Sequence, residues 1–183
     1  MCFAVITLIC VGRLKERFFA EGAAYYAARP RAGRSGYGRG AGASGQAQAG
    51  DPRPNNAQNA RTGPAAVRII EVPDESAPEG LSEAQKGKIT EKEGRAILKQ
   101  IGGAKPGRAW KPGPTVVALD VNGAKYTKAD IDAIIRADEN VVFVIGGSLG
   151  LGQNVLERAD YRWSLSAMTL PHQLARVVVM SVV

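Results

Sequence analysis

The sequence has little of what metal, redox and membrane proteins need. It contains one histidine, two cysteines and no Cys-x-x-Cys pair, so it offers no metal-ligand spacing. Cys2 and Cys10 lie on one apolar run, too far apart on a strand to form a disulfide, which favours reduced thiols and a cytoplasmic location. The run Cys2–Val11 is too short to span a membrane and lacks the flanks of a signal peptide. We therefore expect neither a metal nor a membrane partner.

Familiar nucleotide-binding and hydrolase motifs are also missing. Gly147, Gly150 and Gly152 give the spacing G-x-x-G-x-G, which differs from the dinucleotide fingerprint, and no Walker lysine follows them. Ser164, Ser166 and Thr169 lack the G-x-S-x-G context of a hydrolase nucleophile. These absences argue against dinucleotide, nucleoside-triphosphate and serine-hydrolase chemistry.

Length and charge are compatible with one basic domain spanning residues 1–183. The formal net charge is +7, which permits contact with nucleic-acid phosphates but is equally typical of ordinary solubility charge. Between Ala32 and Pro64 the chain has eight glycines, four arginines and no Leu, Ile, Val, Phe, Met or Trp. We expect this Gly/Arg/Ala-rich insertion at 32–64 to be disordered. It is interpreted as a passive linker or a shifted reading frame, with an RNA-contacting arm as the alternative.

Hydrophobic patterning predicts alternating strands and helices. Strands are expected at Phe3–Val11, Val67–Val72, Thr115–Val121, Val141–Ile145 and Trp163–Met168, with Asn122-Gly123 as a tight turn. Helices are expected at Arg13–Ala28, after Ser82, after Thr127, near Asn154–Ala159 and from about Pro171, with a capping box at Ser82 and Gln85. This alternation predicts an α/β fold around a mostly parallel sheet flanked by helices.

One glycine-rich stretch indicates a small-molecule site. The apolar run Val141–Ile145 ends directly in Gly146-Gly147, where main-chain groups can approach a ligand closely. The second short strand ends in Thr169-Leu-Pro-His172. Two such strand ends can build one pocket largely from main-chain groups.

The same stretches carry a family resemblance. The most specific pair of sequence segments is Ile145–Leu151 followed by Ser164–Leu174. Further blocks agree in order: Leu8–Arg17, Ile69–Glu79, Glu91–Leu98 and Val117–Asp120. Together they resemble the 23S ribosomal RNA pseudouridine N3-methyltransferases, small knotted enzymes of the SPOUT superfamily. The resemblance covers residues 3–31 and 67–178.

The resemblance implies a fold, an activity and a cofactor. The expected fold is the SPOUT variant, in which the C-terminal segment threads a loop to form a trefoil knot. The expected reaction is S-adenosylmethionine-dependent methylation of N3 of a pseudouridine in 23S rRNA, by a homodimer that acts on the ribosome. The implied cofactor contacts are Leu119, Gly146, Leu165, Ser166, Ala167, Met168, Thr169 and Leu170. Apolar walls and main-chain hydrogen bonds suit an adenine ring. Without the resemblance, the leucines and Met168 would be interpreted as core.

Catalytic residues are not assigned from the sequence. His172 is interpreted as a residue at a helix start, with a role as a base as the minor alternative. Asp120, Asp138 and Glu139 show no paired-carboxylate spacing and are interpreted as surface acids.

The family continues with a long helix and a Pro-Tyr-His-basic tail, whereas this sequence ends at Val183. By resemblance, this ending implies an incomplete knot, and the apolar segment Gln173–Val183 implies a weakened dimer and poor solubility. A catalytically inactive remnant that keeps part of the cofactor-binding fold is the alternative function.

Overall fold

The structure is a computed structural model that describes residues 5–28, 67–102, 113–138 and 140–183. Five strands alternate with five helices in this part of the chain. The strands are β1 (Val5–Val11), β2 (Val67–Val72), β3 (Thr115–Ala124), β4 (Asn140–Ile145) and β5 (Tyr161–Trp163). The helices are α1 (Arg17–Ala28), α2 (Glu83–Ile101), α3 (Lys128–Ala137), α4 (Gln153–Arg158) and α5 (His172–Val182). The predicted insertion at 32–64, Cys2 and Glu139 lie outside the described residues.

The five strands form one parallel sheet in the order β2-β1-β4-β3-β5. Strand β4 lies at the centre and is buried from Val141 to Ile145. A continuous run of buried apolar residues is typical of a parallel strand that is covered on both faces. The predicted α/β fold with a parallel sheet flanked by helices is therefore confirmed.

Helices cover both faces of this sheet, because alternate side chains of each strand point to opposite sides. On one face Phe143 and Ile145 pack in a cluster with Ile131 of α3 and Val179 of α5. On the other face Val144 packs in a cluster that includes residues of α2 and α4. The result is a three-layer molecule in which the ends of the strands remain available for a site.

Buried Cys10 belongs to the first of these clusters. Its burial raises the pKa of the thiol to about 12, so the thiol is neutral and unreactive at ordinary pH.

Local capping signals placed two helix starts correctly. Ser82 and Gln85 form the predicted capping box at the start of α2, and Thr127 and Asp130 form another at the start of α3. In each box a side chain accepts a main-chain N–H that the first turn leaves without a helical partner. Helix α2 ends at Gly102, also as predicted.

Helix α1 starts later than predicted, at Arg17 rather than Arg13. The main-chain N–H of Leu14 donates to Glu71 Oε1 at 3.3 Å, and that of Lys15 donates to Gln173 Oε1 at 3.1 Å. These long-range hydrogen bonds hold the preceding segment in a non-helical conformation.

The tight turn predicted at Asn122-Gly123 is wrong, because β3 continues to Ala124. The strand accommodates an irregularity between Leu119 and Ala124 and then pairs again with Trp163 of β5. Asn122 N–H donates to Asp120 Oδ1 at 3.1 Å within this irregular stretch. A turn dipeptide in the sequence here marks a bulge rather than a chain reversal.

The strand predicted at Trp163–Met168 is also misplaced. Strand β5 covers Tyr161–Trp163, and a loop follows it. Ser164 Oγ lies 3.0 Å from the carbonyl oxygen of Ser166, and Ser166 Oγ accepts the N–H of Met168 at 3.0 Å. Serine hydroxyls that bond to nearby main-chain groups favour a turn over an extended strand.

Candidate functional site

A cavity of about 460 Å³ lies at the carboxyl ends of β3, β4 and β5. Its walls come from residues within 119–121, 145–151 and 163–172, together with Ala175 of α5. Because the strands are parallel, the segments that follow them meet at one edge of the sheet, which is the usual ligand position in open α/β folds. The volume lies within the range of about 300–1,000 Å³ that small-molecule sites occupy.

The structure brings together seven of the eight residues that the resemblance selected. The residues that line the cavity are Leu119, Gly146, Leu165, Ser166, Met168, Thr169 and Leu170. Ala167 belongs to the same loop but does not line the cavity. Three separate stretches of sequence therefore converge on one site. Their role in cofactor binding stays a prediction.

The glycine turn after β4 forms one wall of this cavity. A Cβ on Gly146 would lie 2.5 Å from the carbonyl oxygen of Gly150, so only glycine allows the chain to fold back so closely. Gly150 N–H donates to the Gly147 carbonyl at 3.1 Å and closes the turn. Since these residues carry no side chains, main-chain atoms line this part of the cavity.

The loop after β5 forms the opposite wall and is held by its own hydrogen bonds. Ser164 is buried, and its N–H donates to the Ala124 carbonyl at 2.8 Å. Leu165 and Leu170 are half-buried, whereas Met168 is 71% exposed. This site thus combines apolar walls with a solvent-facing thioether.

An ion pair at the cavity corrects the interpretation of Asp120 as a loose surface acid. Asp120 lines the cavity, its side chain is only 12% exposed, and Arg162 Nε donates to Asp120 Oδ2 at 2.9 Å. Asp138 is likewise structural, since Thr115 Oγ1 donates to its Oδ2 at 2.6 Å. A carboxylate that interrupts the apolar run of a predicted strand was the sequence signal available for Asp120.

His172 is the first residue of α5, as the sequence predicted, and it is half-buried. Burial and the nearby cations of Arg176 and Lys15 lower the pKa of the imidazole, while Asp74 opposes this shift. The lowered pKa keeps His172 neutral near pH 7, with one ring nitrogen able to accept a hydrogen bond.

A second cavity, of about 470 Å³, lies beside the first at the carboxyl ends of β1 and β2. His172 lines both cavities. The remaining lining residues are Gly12, Arg13, Lys15, Glu71, Val72, Pro73, Asp74 and Gln173. No motif or spacing in the sequence predicted this cavity. It carries far more charge than the first.

A thin partition separates the two cavities. A Cβ on Gly147, which lines the first cavity, would lie 3.2 Å from Oδ1 of Asp74, which lines the second. Behind this partition Glu93 is buried and accepts the N–H of Glu75 at 3.0 Å. Burial raises the pKa of Glu93, and the neighbouring carboxylate of Asp74 adds to the effect.

The described ranges also bear on metal and membrane binding. No group of three or more His, Cys, Asp or Glu side chains there is arranged to hold a metal ion. None of the helices described is long and apolar enough to cross a lipid bilayer.

Comparison with known proteins identifies the class. The family described as "Predicted SPOUT methyltransferase" matches residues 5–182. The chain therefore belongs to the SPOUT methyltransferase family and is a methyltransferase.

Similar proteins share one more specific name, ribosomal RNA large subunit methyltransferase H. The relative from Alkaliphilus oremlandii is 34% identical over 180 residues, which cover 96% of this chain and 88% of the relative. That from Carboxydothermus hydrogenoformans has the same identity and coverage. That from Clostridium tetani is 44% identical over 119 residues, which cover 62% of this chain and 69% of the relative.

Proposed function

We propose that this protein transfers a methyl group from S-adenosylmethionine to N3 of a pseudouridine in 23S rRNA. The names of its relatives support ribosomal RNA as the substrate. The observation that carries the proposal is the convergence of Leu119, Gly146 and the loop 165–170 on one cavity. In line with the resemblance, the proposal includes a homodimer that acts on the ribosome in the cytoplasm.

The chemistry of the first cavity fits the proposed cofactor. Leucines at 119, 165 and 170 offer apolar walls to an adenine ring, and the glycine turn offers main-chain donors and acceptors. Asp120 is the one acidic residue among the described residues that line the cavity, and its ion pair with Arg162 leaves the lining without an unpaired charge that would repel a cationic ligand. The cofactor carries a sulfonium cation, and it supplies an electrophilic methyl group when bound.

The chain's own residues would act mainly by binding and positioning. Leu165 and Leu170, both half-buried, line the cavity and would keep water from the reacting atoms. The glycine turn, closed by its own hydrogen bond, would hold the ligand without rearranging. Rigid placement of two reactants at near-contact distance can itself contribute several kcal/mol to a rate.

Calorimetry with S-adenosylmethionine and its demethylated product tests the cofactor site directly. Thr169→Arg adds a cation at an exposed lining residue, and we expect affinity for S-adenosylmethionine to fall about tenfold or more, equivalent to about 1.4 kcal/mol. Ala133→Arg adds the same charge on an exposed position of α3 outside the cavity and should leave affinity unchanged. Absence of binding by the unchanged protein would refute the cofactor assignment.

The rRNA specificity needs a separate measurement. Large ribosomal subunits that lack the modification are incubated with the protein and S-adenosylmethionine, and nucleosides are then analysed by mass spectrometry. We expect one new N3-methylated pseudouridine. Cofactor binding without any methylated nucleoside would favour an inactive cofactor-binding protein instead.

A further inference from the structure

We infer that the second cavity, at the carboxyl ends of β1 and β2, is the subsite for the acceptor nucleotide, with Arg13 and Lys15 binding its phosphates and His172 facing its base. This inference rests on the proposed function and extends it to the acceptor.

The position of the cavity is the first argument. The bond from the methyl group to the sulfonium sulfur breaks as its bond to N3 forms, the demethylated thioether leaves, and N3 releases its proton to water, so the two ligands must touch across a shared boundary. The two cavities share His172, and Gly147 of the first lies against Asp74 of the second. The cavities therefore adjoin at the imidazole, where ligands in the two sites would lie side by side.

The charges in the cavity are the second argument. Arg13 and Lys15 are among the described cations that form no ion pair with the residues that the structure describes, and these two line the cavity. Glu71, another lining residue, is already paired with Arg176 at 3.0 Å. Two free cations at one concave surface suit the phosphates of a nucleic acid.

The backbone that carries these cations is held in place. Leu14 N–H donates to Glu71 of β2, while Lys15 and Glu16 N–H groups both donate to Gln173 of α5. The segment between β1 and α1 is thus tied to elements on either side. Its main-chain donors are engaged, so side chains are left to bind an anion.

The remaining groups suit a base rather than a second phosphate. Asp74 and the neutral imidazole of His172 are hydrogen-bond acceptors, and a pseudouridine base presents two N–H donors. The volume of about 470 Å³ is sufficient for a small ligand of nucleotide size. Arg13 and Lys15 are exposed, whereas Asp74 lies against Gly147 of the first cavity.

The single histidine of the chain provides a direct probe. Pseudouridine 5′-monophosphate is titrated into the protein, and the imidazole signals of His172 are followed by ¹H–¹³C NMR. We expect these signals to shift in the unchanged protein and to stay in place in the double variant Arg13→Ala/Lys15→Ala. Unshifted signals at a saturating mononucleotide concentration, or equal shifts in the variant, would overturn the inference.

Binding of RNA gives an independent readout. Affinity for a labelled single-stranded RNA that contains one pseudouridine is measured by fluorescence anisotropy at several salt concentrations. Loss of two phosphate contacts should reduce the slope of log K against log salt by about 1.4. The control variant Lys99→Ala/Arg136→Ala removes the same charge where α2 and α3 end, at the opposite edge of the sheet. An equal reduction in both variants would show general electrostatic attraction and reject the subsite.

The acceptor subsite and the cofactor site can be tested separately. Neither Arg13 nor Lys15 lines the first cavity, so calorimetry with S-adenosylmethionine should give the same affinity for Arg13→Ala/Lys15→Ala as for the unchanged protein. Intact cofactor binding with an unaltered RNA salt slope rejects only the acceptor subsite.

Discussion

Replacement of Arg176 by methionine should destabilise the protein more than any surface substitution. The Arg176 side chain, on α5, is only 2% exposed. Its Nη2 donates to the carbonyl oxygens of Val11 and Gly12, each at 2.7 Å, and its Nη1 donates to Glu71 Oε1 at 3.0 Å. The residue therefore fastens α5 to the carboxyl ends of β1 and β2.

The expected magnitude follows from these contacts. Hydrogen bonds to charged groups contribute about 1.5–3 kcal/mol each, and three are lost in Arg176→Met. Part of this loss is recovered, because Glu71 is 36% exposed and can be hydrated in the variant. The substitution also removes the buried Nε of Arg176, a polar atom that has no hydrogen-bond partner among the described residues. We expect a net loss of about 3–5 kcal/mol in the free energy of unfolding.

Urea unfolding followed by circular dichroism measures this loss. For a chain of this size the same change lowers the melting temperature by about 6–20 °C. Arg176→Lys keeps the charge but loses the planar fork, so its stability should be intermediate. Arg136→Met, an exposed control on α3, should change stability by about 0.5 kcal/mol at most. A loss below about 1 kcal/mol in Arg176→Met would refute the anchoring role.

Two other substitutions test buried details near the site. Burial raises the pKa of Glu93, so the folded state binds the proton of this carboxyl group more tightly than the unfolded state does. The stability that comes from this tighter proton binding is lost as pH rises through the folded-state pKa. Glu93→Gln keeps an oxygen that can accept the hydrogen bond from the Glu75 N–H. We expect the variant to have a higher urea midpoint than the unchanged protein at about pH 8, and we expect this difference to disappear toward about pH 4. Equal midpoints at all pH values would contradict this. A Cβ on Gly152 would lie 2.5 Å from the carbonyl oxygen of Thr90, so Gly152→Ala should lose about 1–3 kcal/mol in urea unfolding. Gly87 lies on the same helix as Thr90, and a Cβ there would meet nothing within 4 Å. Gly87→Ala should therefore gain about 0.5–1 kcal/mol of stability. A similar loss of stability in both variants would show that close contact is not the cause.

Local signals in the sequence predicted most elements of this fold. The capping box at Ser82 and the apolar run Val141–Ile145 depend on neighbouring residues, and both appear where they were expected. Errors arose where distant contacts decide the local conformation. Gln173 delays the start of α1, and pairing with Trp163 extends β3 through Asn122-Gly123. Periodicity carries no information about such partners.

The site was predicted unevenly for a related reason. The first cavity is formed by the glycine turn and by the loop after β5, and a family resemblance can identify the residues of both segments one by one. The second cavity joins Arg13 to Asp74 and His172, residues that are far apart in the sequence and ordinary in type. The order of strands in the sheet places β1 between β2 and β4, and that order brings these three side chains together.

Helix α5 connects the stability of the fold with both cavities. Ala175 lines the first cavity, Gln173 lines the second, and His172 lines both, while Arg176 of the same helix is fixed to β1 and β2. A change that releases the helix therefore moves walls of both cavities at once, whatever its effect on either ligand. Arg13 and Thr169 are exposed and lie outside this helix, so substitutions there leave the anchor intact. Because of this separation, a loss of binding in those variants reports on the ligand contact itself.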